Sequence, residues 1–178
     1  MLYLLPIAIY LALYLNQTNS HYQYSQSIFL CNNPITDQTE YDHIRDYFKD
    51  GLVIFPETSY YALGLSESLF LDLSSKYDVA FLYGKVVRND TDKFNSAAFV
   101  NNNEISLYHK KQLIPVYEDA FIRGKGGVNI FSFQNSYIVP FICYEICSPS
   151  QMRKKMKHHG DLILVLSSLK WIPKLARN

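Results

Sequence analysis

Little in this chain commits it to a disulfide, a metal or a charged partner. Three cysteines occur in 178 residues, Cys31, Cys143 and Cys147. They are too few for a disulfide framework, and the Cys143-x3-Cys147 pair has no histidine at ligand spacing, which argues against a zinc set. The five histidines show no ligand spacing of their own, and no feature calls for a cofactor. Glycine and proline number only seven each, a scarcity that goes with an ordered globule rather than a disordered chain. A formal net charge of +1 removes any global reason to expect nucleic acid. Long apolar runs are also few.

The exception is Leu2 to Leu15, apolar apart from its tyrosines and broken by Pro6. As a helix it would span roughly 21 Å, short of the roughly 30 Å hydrocarbon core of a bilayer. It has no Lys or Arg ahead of it and no small-x-small site before Asn16, so it does not read as a signal peptide. Three readings stay open: the end of a membrane helix that starts outside this chain, an uncleaved anchor, or a buried core helix. Without flanking Lys or Arg, the segment carries no orientation signal. A polar stretch over 16–26 then reads as a linker, and 27–178 as one domain.

What the chain has in quantity is aromatic residues, 15 Tyr and 11 Phe, in short β-type runs. Strands are expected at Ser27–Cys31, Leu52–Phe55, Val79–Val87 and Leu162–Leu166. Two hairpins are expected, Ala97–Val100 with Ile105–Tyr108 around Asn101–Glu104, and Ile130–Phe133 with Tyr137–Cys143. Helical spacing predicts Thr39–Lys49, Ser66–Tyr77 and a basic helix Ser148–His159. Helices alternating with strands, together with hairpins, predict an α/β fold with mixed sheets.

Three segments end strands with chemically capable side chains: Phe55-Pro56-Glu57-Thr58, Tyr108-His109-Lys110 and Phe141-Ile142-Cys143-Tyr144-Glu145. Open α/β sheets build their sites at such ends. Glu57, just beyond an apolar strand, is placed to be desolvated and to act as a general base; the plainer reading is a turn or capping carboxylate. Lys110 is placed to clamp a developing negative charge; the plainer reading is an edge charge that discourages pairing. Lys111 must face the opposite way if the strand continues. Cys143, at a strand-to-helix turn, can be activated by a neighbouring base and by turn amides, against the plainer reading of an inert buried thiol. Cys147 reads as structural. Gly124-Lys125-Gly126-Gly127 lacks the P-loop ending and reads as a loop. The basic run Arg153–His159 is a solvated face or a contact for anionic lipid headgroups.

Together these segments resemble the nitrilase (carbon–nitrogen hydrolase) superfamily, which carries a Glu-Lys-Cys triad in this order. Within it, Tyr108, Lys110, Leu113, Pro115 and Glu118 match the Tyr-x-Lys-x-x-Leu-x-Pro-x-x-Glu motif of the apolipoprotein N-acyltransferase and conjugal-transfer branch. Pro56-Glu57-Thr58 and Cys143-Tyr144-Glu145 match its other two motifs, and the apolar start suits it. The resemblance runs from about Ile28 to Trp171. It implies an αββα sandwich in which Glu57 takes the Cys143 proton and the thiolate attacks an acyl carbonyl. Lys110 and the Tyr144 backbone amide would then hold the oxyanion, with Glu118 orienting Lys110 or assisting the proton transfers and Glu145 in support.

For that branch the implied partners are a phospholipid acyl donor and an amine acceptor such as a lipoprotein N-terminus. The implied setting is the bacterial inner membrane, with the domain on the periplasmic side. A soluble-type amidase or nitrilase is the second expectation. An inactive interaction module of a conjugation system is the third. Ser167-Ser168-Leu169-Lys170-Trp171 departs from the family's Ser-Asn-Asp-x-Trp pattern, and the chain stops at Asn178, before the strands expected to complete the sandwich.

Overall fold

The computed structural model describes residues 28–30, 50–62 and 66–168. The apolar segment, the linker and the expected helix over 39–49 lie outside the described residues.

The chain runs β1 (Ile28–Leu30), β2 (Leu52–Ile54), α1 (Ser59–Ala62), α2 (Glu67–Tyr77), β3 (Ala80–Asn89), β4 (Asp92–Asn101) and β5 (Glu104–His109). It continues through β6 (Phe131–Phe133), β7 (Ser136–Ile142), a 3-10 turn (Cys143–Cys147), α3 (Pro149–Met156) and β8 (Leu162–Leu166). Strands β1 to β5 form one sheet in sequence order, parallel across β1-β2-β3 and antiparallel across β3-β4-β5. The second sheet is β6-β7-β8, antiparallel and then parallel. Both sheets are mixed.

Alternation along the strands sorts side chains into three apolar layers. Between the sheets, Leu52, Ile54, Leu82, Phe99 and Tyr108 meet Phe133, Ile138, Ile142 and Leu166. On the outer face of the first sheet, Val53, Phe55 and Phe81 take up Phe70 and Leu73 of α2. Phe70 stacks on Phe81 with ring centroids 4.4 Å apart. On the outer face of the second sheet, Val139, Phe141, Ile163 and Val165 pack against Ile146, Met152 and Met156. Helix, sheet, sheet, helix: the order is αββα.

Local signals account for most boundaries. Ser66 caps α2 by accepting from Leu69 N, as a serine ahead of an apolar-periodic run should. Asn102 and Asn103 both adopt positive φ, 47° and 63°, which gives the β4–β5 hairpin its two-residue turn. Three expectations need correction. Residues 88–96 were not expected in strands, yet β3 and β4 pair continuously from Phe81↔Val100 to Asn89↔Asp92. Their polar sequence hides the strand because that end of the hairpin is partly exposed on both faces. Short α1 was not expected at all. The basic helix ends at Met156, not His159. There Asp161 N donates to Tyr137 O and Asp161 accepts from Tyr137 N, drawing the chain into β8.

Candidate active site

Three strand ends converge. Beyond β2 the chain turns at Pro56, whose carbonyl accepts from both Ser59 N and Gly84 N at 3.2 Å. Thr58 takes a positive φ of 55° in this turn. Gly84 is required here: a Cβ on it would lie 2.4 Å from Thr58 N and 2.6 Å from Glu57 Cα. The turn aims the Glu57 carboxylate inward, where it is 4% exposed.

Beyond β5, Lys110 N donates to Asn95 O and Gly124 N donates to Lys110 O, both at 2.8 Å. Lys110 is 1% exposed. Its ammonium sits 3.3 Å from Glu57 Oε1 and 2.9 Å from the Glu118 carboxylate. Burial works against its charge, but Glu57 and Glu118 overcome that and hold its pKa above the ordinary lysine value. Lys111 points the other way, as alternation requires, and its ammonium donates to the carbonyls of Gly126 and Gly127.

Beyond β7, Cys143 opens the 3-10 turn with φ at 48°. A non-glycine residue in the left-handed region is strained by about 1 kcal/mol or more, and such residues gather at functional turns. The thiol is half-buried, and Glu57, Ser167 and Lys110 are the groups whose charge or hydrogen-bonding capacity acts on it. Burial first, and then the negative charge of Glu57, push its pKa up to about 11; Ser167 and Lys110 pull the other way. At neutral pH only about one thiol in ten thousand is then ionised, so the group needs a base in contact to act as a nucleophile.

Glu57, Lys110, Glu118 and Cys143 are therefore brought together. Three further residues contribute: Asn95 was not picked out from sequence, and Ser167 and Ser168 were noted there only as a departure from the family's Ser-Asn-Asp-x-Trp pattern. Asn95 donates its amide nitrogen to Glu57 Oε1 and Glu118 Oε1, 2.8 Å each. Ser168 N reaches Glu57 Oε2 at 3.2 Å, and Ser167 favours the ionised form of the thiol. Residues from 169 onward lie outside the described residues. A usable signal existed for Asn95. The hairpin register set by Asn102-Asn103 pairs Ser96 with His109, which places Asn95 beside Lys110.

Tyr144, expected to lend its backbone amide, carries a side chain that is 40% exposed. Glu145 is fully buried and bridges two of the converging segments. Its Oε1 accepts from Tyr108 Oη at 2.5 Å, Lys111 N at 2.6 Å and Gln112 N at 3.3 Å. Its Oε2 accepts from Ile142 N at 2.9 Å and Lys155 Nζ at 3.2 Å. Glu118 is fixed similarly, accepting from Ile114 N at 2.8 Å. Among the described residues, no helix is long and apolar enough to cross a membrane.

Comparison with known proteins bears on the fold and the family. No curated protein sequence matches the chain. Among solved structures, an amidase from Nesterenkonia sp. superposes with a TM-score of 0.58 at 17% identity, over 80% of this chain and 64% of the amidase. A CN-hydrolase superfamily protein from Xanthomonas campestris gives 0.58 at 16% identity, over 85% of this chain and 66% of the other. A glutamine-dependent NAD+ synthetase from Acinetobacter baumannii gives 0.57 at 23% identity, over 73% of this chain and 28% of that longer one. The chain thus spans just under two thirds of the amidase. These identities speak to the fold alone. Residues 47–176, which hold all four converging side chains, match the carbon-nitrogen hydrolase family, and the chain belongs to that family.

Proposed function

We propose that the domain transfers an acyl group through a thioester on Cys143. The observation that carries this reading is the convergence of one buried carboxylate, Glu57, on the Lys110 ammonium at 3.3 Å and on the half-buried Cys143, whose pKa its charge raises. Glu57 takes the thiol proton as sulfur attacks the carbonyl carbon. Lys110, already charged and desolvated, faces the oxygen on which negative charge develops, and the Tyr144 amide is the second donor. Glu57 then returns the proton to the leaving group. An acceptor attacks the thioester and frees the thiol.

Of the acceptors, we favour an amine. The match of Tyr108, Lys110, Leu113, Pro115 and Glu118 to the apolipoprotein N-acyltransferase motif supports it, as does the apolar run ahead of the domain. The donor is then a phospholipid and the setting the inner membrane, with the domain on the periplasmic side. Hydrolysis is the second reading, favoured by the likeness in fold to amidases. One experiment separates them. The chain is incubated with phosphatidylethanolamine vesicles or with short aliphatic amides, and tryptic peptides are weighed. A long-chain acyl adduct on the Cys143 peptide supports transfer from lipid. Ammonia released from amides without vesicles supports hydrolysis. A folded protein that does neither overturns both.

A further inference from the structure

We propose that Lys155 is a positioning residue for this chemistry: as counter-charge to Glu145, it locks the Cys143 turn to the strand end that carries Lys110. The inference rests on the thioester reading above.

Lys155 lies on α3, twelve residues past the nucleophile, and is fully buried. Its ammonium donates to Pro140 O at 2.5 Å and to Glu145 Oε2 at 3.2 Å. It rests over the rings of Tyr108, at 4.0 Å, and Phe141, at 4.1 Å. Each contact belongs to a segment that ends in the site: Phe141 and Pro140 to β7 before Cys143, and Tyr108 to β5 before Lys110.

Glu145 completes the joint. One carboxylate oxygen holds the amides of Lys111 and Gln112, directly after Lys110, and the other holds the amide of Ile142, directly before Cys143. A buried carboxylate gathers that many donors only while it is ionised and compensated. Lys155 is the ammonium in contact with it. Lys111 sends its own charge to the Gly126 and Gly127 carbonyls.

The joint is set near its limit. Burial drives the Lys155 pKa down to about 8, with Glu145 opposing the drop and Lys111 adding to it. The groups facing Lys155 are Glu145 from the 3-10 turn, Tyr108 and Lys111 from β5 and its extension, and Phe141 and the Pro140 carbonyl from β7. Tyr108 stays a neutral donor, its pKa raised by burial and by Glu145. When Lys155 sheds its proton, Glu145 loses its counter-charge and the two strand ends lose their common anchor.

The test is acylation of Cys143 by p-nitrophenyl acetate, followed by p-nitrophenolate release and by the mass of the Cys143 peptide. In the unaltered protein the acylation rate should climb with pH and bend over near pH 8. Lys155→Arg, which cannot lose its charge, should acylate within threefold of the parent at pH 7 and show no bend. Lys155→Met should acylate at least tenfold more slowly below pH 8, the gap narrowing above it as the parent loses the same charge, with iodoacetamide labelling of exposed Cys147 unchanged. Should Lys155→Met not fold, the Lys155→Arg profile decides alone. A bend that persists in Lys155→Arg, or full-rate acylation in folded Lys155→Met, overturns the inference and leaves the thioester reading standing. If the unaltered protein does not acylate on Cys143, that reading falls first and this one with it.

Discussion

Asn95 Nδ2 lies 2.8 Å from Glu57 Oε1 and spends its second hydrogen on Glu118 at the same distance. The amide therefore separates two carboxylates that share one ammonium. Its orientation is fixed by those two acceptors, since the reversed amide would set oxygen against oxygen. Asn95→Ala should leave the fold intact and slow acylation of Cys143. Losing hydrogen bonds to charged partners costs about 1.5–3 kcal/mol, or about 10- to 150-fold in rate. Asn95→Asp adds a third negative charge and should be slower still. Single-turnover acylation with both variants would check this, and equal rates for Ala and Asp would contradict the electrostatic account.

Gly84 makes a second, purely steric prediction. Its missing side chain leaves room for the Glu57 backbone, and a methyl group there would meet Thr58 N at 2.4 Å and the Glu57 carbonyl carbon at 2.8 Å. These are backbone atoms, which cannot swing aside. Gly84→Ala should lower stability by about 1–3 kcal/mol, as overpacking does, and cut acylation by displacing Glu57. Urea unfolding and acylation should move together in this variant. Asn95→Ala should also lose stability, by the about 1.5–3 kcal/mol that hydrogen bonds to charged groups contribute, but without displacing the Glu57 backbone.

Why these two residues escaped the sequence reading is instructive. The residues carrying charge or a thiol announced themselves, because Glu57, Lys110 and Cys143 each follow a β-branched or aromatic run that reads as a strand. Strands β2 and β8 were legible for the same reason, as was the β4–β5 turn from its asparagines. Asn95 sits in Asn89–Asn95, a polar stretch with no alternation, so its strand was hidden, and only the register counted from the Asn102-Asn103 turn could have set it beside Lys110. Gly84 looked like any glycine within an apolar run. Its need arises from the Pro56–Ser59 turn packed across it, a contact between segments about 25 residues apart in the chain. Lys155 was hidden differently. It sits among Arg153, Lys154 and Lys157, all exposed, and composition alone could not say that one member of a basic run turns inward to meet Glu145.

Glu57 offers a test in which thiol acidity and turnover part company. Its negative charge and its acceptance of the thiol hydrogen both hold the Cys143 pKa high, near 11, after burial itself. Glu57→Gln removes the charge while Lys110 and Ser167 still favour the thiolate. The thiol should become more acidic, so iodoacetamide labelling of Cys143 at pH 8 should rise. Acyl transfer should nevertheless fall, by the 10²–10⁴-fold typical of losing a general acid–base group, because nothing returns the proton to the leaving group. Labelling followed by peptide mass, set beside acylation kinetics, would read both. A fall in labelling along with transfer would mean that Glu57 acts on the fold and not on the proton.

Stability and acylation should also diverge with pH, through Lys155. Its folded pKa of about 8 lies below its ordinary value of 10.5. Below pH 8 the ammonium is charged in both folded and unfolded chains, and the cost of burying it is fully present. Between pH 8 and 10.5 the unfolded chain binds more protons, so stability rises with pH from this group. Above 10.5 the relief is complete, at about 3 kcal/mol. From pH 7.5 to 9.5 the gain should be about 2 kcal/mol in the unaltered protein, whereas Lys155→Arg should lack it. Comparing the two variants by urea denaturation cancels every other titrating group. The same interval is where acylation bends over in the unaltered protein. A chain that grows more resistant to urea while it loses the alignment of Cys143 with Lys110 would mean that the buried charge is kept at the expense of stability, and that its return is the geometry of the site.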